Sequence, residues 1–345
     1  MKKNVLTVLL ILTAAAIASA VLLGRPQEDI MNYEKVKEKV GSLLQGKKYE
    51  EAIALYEEAL QQFPDKFYEI SFPLAQLYMS TGKPGKSLDI FEAGLQKKIV
   101  YPIWSAAPYW QPLAGHDSAR FKKILAENKR LQAEKTAAAE PGFNIIPPAG
   151  YTAGKKYPLF IVLHGWNETM AQPAKYWQTK RLNQDFLLAL AQSSQVVGPH
   201  TFGWEDAAAG RKDVMEIYRQ ITAAYSVDKD RIIIAGFSQG GMMAMDIAGG
   251  QGIPCAGFVV LHPGGGIPED FNAVTVKKAG ERGLKGAIIM SEQNKSGEEI
   301  DKIQETLKQA GIDYRFVVTG TGHWYPADFA QQLDAAIAHI FTEKR

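Results

Sequence analysis

The stretch that most constrains the fold is "RIIIAGFSQGGMMAM", residues 231–245. A β-type apolar run enters Gly236, passes Phe237 and Ser238, and emerges through Gly240 and Gly241 into a helix-type run. Such a chain must reverse from strand to helix within one or two residues, which forces the serine into sparsely populated backbone angles and lifts its Oγ off the corner. Glycines flank it because backbone has to pass where a Cβ would stand. The helix that follows aims its first N–H groups at any negative charge developing nearby. A G-x-S-x-G placed between a strand and a helix therefore reads as an exposed nucleophile.

The sequence around it alternates strand and helix from residue 143 onward. "YPLFIVLHG", "FLLALAQSS", "RIIIAG", "AGFVVLHPG", "GAIIMS" and "YRFVVTG" are apolar on both sides. "KDVMEIYRQITAAY", "GGMMAMDIA", "GEEIDKIQETLKQAG" and "ADFAQQLDAAIAHIF" carry helical periodicity. Doubly apolar strands separated by such helices predict an α/β fold, a mostly parallel sheet covered on both faces. Chemistry in such a sheet gathers beyond the carboxyl ends of the strands.

Two further strand ends carry candidates. His164-Gly165-Trp166-Asn167 follows the first long strand. Acyl transfer needs two N–H donors for the tetrahedral oxyanion, and the backbones of Trp166 and Gln239 are the expected pair. His164 is expected to brace that loop. His323, in "GTGHWYPADF" after the last strand, is the expected general base toward Ser238. The order serine then histidine fits this arrangement. His116, His200, His262 and His339 lack that setting. Trp166, Trp204, Trp324 and Tyr325 are expected to line the pocket. With a single cysteine, Cys255, the chain has no intrachain disulfide and no CxxC metal site. No phosphate loop or metal-ligand cluster is legible, so neither a cofactor nor a metal is expected.

"VLHGWNE", "VDKDRIIIAGFSQGGMMAM" and "GHWYP" make residues 142–345 resemble the α/β-hydrolase superfamily, in particular its phospholipase/carboxylesterase branch, and polyhydroxybutyrate depolymerase-like esterases as well. The resemblance implies a serine, histidine and aspartate triad, with the acid after "GAIIMS". Here that loop reads Ser291-Glu292-Gln293-Asn294, with Asn294 at the aspartate position. An amide orients a histidine but gives an imidazolium no charge. Glu292 is the expected substitute; Asn294, Asp270 and Glu269 are the alternatives.

The N-terminal part reads differently. "LLQGKKYEEAIALYEEALQQFPD" places Ala52, Tyr56, Ala59 and Pro64 where "LAQLYMSTGKPGKSLDIFEAGL" later places Ser87, Phe91 and Gly94. Small residues let helices approach and the aromatic fills the groove. Residues 34–98 thus resemble the tetratricopeptide repeat, departing from it at Gly94 and in the extra lysine before Tyr49. That implies an all-helical domain with a protein partner. An aromatic and proline-rich connector and a charged helix fill residues 99–141. Residues 1–25 place Lys2 and Lys3 ahead of an apolar run from Val5 to Leu23, a signal peptide or membrane anchor that predicts an exported chain, secreted, periplasmic or tethered.

Net charge is +2 over 345 residues without a long basic block, which argues against nucleic acid as partner. The expected activity is that of a serine hydrolase cleaving carboxylic esters, of small molecules, lipids or polymers, through an acyl-enzyme. The alternatives are a prolyl-oligopeptidase-type peptidase and a catalytically weak scaffold that binds partners through its helical repeats.

Overall fold

A computed structural model describes residues 32–103, 108–250 and 252–342. The export segment expected at residues 1–25 lies outside them. No helix among the described residues is long and apolar enough to cross a membrane. The chain divides into two compact units, one ending at Ile90 and one beginning at Phe91.

The first unit is helical. Helices α1 (Tyr33–Gln45), α2 (Tyr49–Gln62) and α3 (Phe67–Ser80) are followed by the start of α4 (Pro84–Gln96). Asn32 caps α1 by accepting from the Lys35 N–H at 3.0 Å. Val36, Val40, Ile53, Ile70 and Leu74 form its core, with Ala52 and Ala59 buried where helices close on one another. Ser87 is buried as well, and its hydroxyl donates to the Ala75 carbonyl at 2.7 Å. The small residues that set the repeat pattern are therefore those in the helix contacts.

The second unit starts with the rest of α4. Phe91 meets Tyr101 and Trp110 edge-on at 5.0 and 5.6 Å. A Cβ at position 94 would collide with the Tyr101 ring, which explains the glycine where the repeat pattern departs. After the short α5 (Gln111–His116) comes α6 (Ser118–Ala137). Asn128 of α6 grips both sides of Tyr101, accepting from its N–H at 2.8 Å and donating to its carbonyl at 2.9 Å.

The sheet has seven strands in the order β1-β3-β2-β6-β7-β8-β9. They are β1 (Gly142–Ile146), β2 (Tyr157–Leu163), β3 (Leu187–Gln192), β6 (Val227–Phe237), β7 (Gly257–Leu261), β8 (Lys285–Met290) and β9 (Asp313–Val318). Only β1 runs antiparallel, paired with β3 at the edge. β4 (Gln195–Gly198) and β5 (Thr201–Gly203) form a separate hairpin. The alternation of side chains along each strand feeds two cores. Leu159, Ile161, Ile232, Ile234, Phe258 and Ile288 point to one face, with residues of α8 (Ala207–Ala224), α9 (Gln239–Gly249), α10 (Ala273–Glu281) and α11 (Glu298–Gln309). Phe160, Val162, Ile233, Val259 and Ile289 point to the other, with α7 (Lys180–Asp185), Trp177 and α12 (Phe329–Ile340). This is the α/β-hydrolase architecture. Cys255 is buried, and burial pushes its thiol up to about 12.

Candidate active site

β6 ends at Phe237 and α9 begins at Gln239, so Ser238 alone makes the turn. Its backbone sits at φ 54°, ψ −120°, in the left-handed half of the map that non-glycine residues avoid. A Cβ on Gly236 would strike the Gly240 backbone, and one on Gly240 would strike the carbonyls of Leu163 and His164. The Ser238 N–H donates to the Leu261 carbonyl at 2.9 Å and its own carbonyl accepts from Met242 and Gly264. The strained angle is thus held from three sides.

The histidine arrives on the loop after β9. His323 Nε2 lies 2.9 Å from Ser238 Oγ. The protein atoms around the ring strip solvent from it and hold its pKa below the ordinary 6.5, so it is neutral and able to accept a proton at pH 7.

Opposite stands the loop after β2. The backbone N–H groups of Trp166 and Gln239 donate to no group among the described residues. Both residues line the same cavity, of about 860 Å³, with Ser238 and His323. The Trp166 indole is fixed by donating to Glu205 at 2.9 Å. Glu168 accepts from the Gly165 N–H at 2.8 Å, and burial raises its carboxyl pKa. Gln239 turns its side-chain oxygen to the Trp204 N–H at 2.6 Å. His164 is fully buried behind the loop. Its Nδ1 is 2.7 Å from the Gly165 carbonyl, while its Nε2 accepts from the Ser193 N–H at 3.3 Å. The neutral tautomer with the proton on Nδ1 satisfies both, and burial lowers the pKa to about 4. It braces the loop, as the sequence suggests.

The acid is where expectation and structure part. Glu292 does not bond to His323: its carboxylate pairs with Lys295 at 2.6 Å on an exposed turn, and it is not among the residues lining the cavity. The i, i+3 spacing puts a lysine cation on its own turn. Asp270 is taken by Arg211 at 2.9 Å, and Glu269 lends only its backbone carbonyl, to Asn272. Asn294 donates to Ser291 Oγ at 2.8 Å and to the Gly322 carbonyl at 3.1 Å, gripping the residue before the histidine but not its ring. Among the described residues no carboxylate bonds to His323.

Two pocket expectations are corrected. Trp166 and Trp324 line the cavity, but Trp204 and Tyr325 do not. Trp204 lies beneath it, donating from its indole to the His164 carbonyl at 2.9 Å. Tyr325 stacks on Tyr176 at 4.0 Å and accepts from the Trp177 indole. Sequence reasoning passed over His262, which follows β7 and lies 5.0 Å from His323 between ring centroids. Its position directly after a buried strand, beside the elbow strand, was the available signal.

Residues 43–98 match the tetratricopeptide repeat model. No curated protein matches the chain. Among solved structures, an uncharacterized protein from Bacillus cereus is 23% identical over 90% of this chain and 99% of its own, with a TM-score of 0.49. A thermophilic esterase from Thermogutta terrifontis, with butyrate bound, is 17% identical over 58% of this chain and 88% of its own, at 0.44. A fluorophosphonate-binding serine hydrolase of Staphylococcus aureus is 18% identical over 58% and 92%, at 0.42. The fold assignment rests on the strand order and the turn at Ser238.

Proposed function

We propose that the second unit hydrolyses carboxylic esters through an acyl-enzyme, with Ser238 as nucleophile and His323 as general base. The 2.9 Å approach of His323 Nε2 to a hydroxyl presented on a strained elbow carries this reading. Ser238 Oγ attacks the ester carbonyl while its proton passes to His323 Nε2. The new oxyanion accepts from the N–H groups of Trp166 and Gln239. Collapse breaks the bond to the alcohol oxygen, which takes the proton back from His323. Water then repeats the sequence on the acyl-enzyme and regenerates Ser238.

Ser238→Ala is expected to abolish both turnover of short p-nitrophenyl esters and labelling by a fluorophosphonate. Labelling that survives the change refutes the assignment. The missing carboxylate favours a second reading, a weak hydrolase-fold scaffold, which instead requires that the wild-type protein takes no label. For the first unit the repeat match supports a protein partner, and the segment at residues 1–25 supports export. Fractionation of the producing cells tests export, and a purely cytoplasmic protein refutes it.

A further inference from the structure

His323 is gripped from both sides through its neighbours' peptide groups. On one side stands Gly322. Its N–H donates to Gln293 Oε1 at 2.9 Å, and its carbonyl accepts from Asn294 Nδ2 at 3.1 Å. On the other side stands Trp324, whose carbonyl lies 3.1 Å from His262 Nε2. A carbonyl only accepts, so that nitrogen carries the proton of a neutral ring. His262 is itself fixed: it is 1% exposed, and its N–H donates to the Ile289 carbonyl at 2.9 Å. Asn294 is fixed by its second bond, to Ser291 Oγ, and Ser291 is buried. The grip therefore springs from the ends of β7 and β8, the two strands that follow the elbow strand in the sheet.

A triad carboxylate normally does two things, holding the imidazole in place and stabilising its charged form. Here the first task falls to uncharged groups acting on the backbone. We propose, building on the ester-hydrolase reading, that Gln293, Asn294 and His262 are the positioning residues of a Ser238–His323 dyad that works without a triad acid. Glu292 is a surface partner of Lys295 and takes no part. A misplacement of about 1 Å costs on the order of 100-fold in rate, so loosening either grip acts on turnover rather than on substrate binding.

The test measures kcat and KM on a p-nitrophenyl ester, the rate of fluorophosphonate labelling and the thermal midpoint, for the full chain and four variants. Gln293→Met removes the acceptor and Asn294→Ala the donor. Each is expected to lower kcat by about 10- to 100-fold, with KM and the thermal midpoint nearly unchanged and labelling slowed in step. Gln293→Glu keeps an acceptor for the Gly322 N–H and is expected to stay within about threefold of wild type, which separates lost positioning from lost packing. Glu292→Gln is expected to leave kcat within about twofold. A 100-fold loss in Glu292→Gln overturns the proposal, because the carboxylate then reaches His323 during turnover. So does wild-type kcat in both Gln293→Met and Asn294→Ala. Wild-type protein that takes no label overturns the ester-hydrolase reading itself, and is told apart from these outcomes by needing no variant.

Discussion

The two halves of the proposed dyad are held by different means. On the serine side the hold is made by backbone: Ser238 at φ 54° is bonded through its own N–H and carbonyl to Leu261, Met242 and Gly264, between glycines whose missing side chains make room for Gly240, Leu163 and His164. On the histidine side it is a set of exchangeable bonds, from Gln293, Asn294 and His262 to the peptides beside His323. Close backbone approaches leave no room for a side chain at Gly236 or Gly240, whereas a grip made by side chains can be rebuilt with different residues.

The largest expected effect lies on the serine side. Ser238→Gly removes the nucleophile and is expected to cost about 10⁶-fold in kcat. It also relieves a strained angle, worth about 1 kcal/mol of added stability. Denaturant unfolding beside the activity assay checks both, and a glycine variant no more stable than wild type breaks the claim of strain. Next is Gly240→Ala, where a methyl is driven into two backbone carbonyls. The loss is expected to be about 4 kcal/mol or more, read as a lowered unfolding midpoint or as insoluble protein.

A smaller effect comes from His164. With a folded pKa of about 4, it resists the proton that the unfolded chain accepts near 6.5. Stability is expected to fall as pH drops from 6.5 towards 4, by about 2 kcal/mol from this group between pH 7 and 5. His262, also lowered to about 4, pushes in the same direction. A flat urea midpoint over that range would contradict the buried, neutral assignment. Activity has its own acid limb. Protonating His323 removes the base, and since its pKa is lowered, kcat/KM is expected to decline only below pH 6.5. The smallest effect is expected from Glu205→Gln. The amide oxygen still accepts from the Trp166 indole, so kcat should stay within about threefold, whereas Glu205→Ala frees the indole and should cost about tenfold.

The difference between the two sides also explains what the sequence disclosed. Doubly apolar strands alternating with helical stretches made the sheet legible, and the glycines around Ser238 made the elbow legible. β1 and the β4–β5 hairpin escaped notice because they are short, and β1 is only half buried. His323 was readable from its place after the last strand. Its fastening was not, since Gln293 and Asn294 act on backbone atoms that any residue at 322 would supply. Glu292 looked like the acid because chemistry calls for a carboxylate there. Yet Lys295, one helical turn further along, is the partner its spacing favours. Trp204 and Tyr325 sit near the cavity in sequence but face inward, a distinction residue type alone does not encode.

The single cysteine has a practical bearing on how this protein meets electrophiles. Cys255 is buried, and its thiol is held almost wholly protonated at neutral pH. Maleimides, iodoacetamide and mild oxidants are thus offered no thiolate while the chain stays folded. A covalent adduct formed with a thiol-directed agent therefore reports unfolding rather than attack on the folded chain.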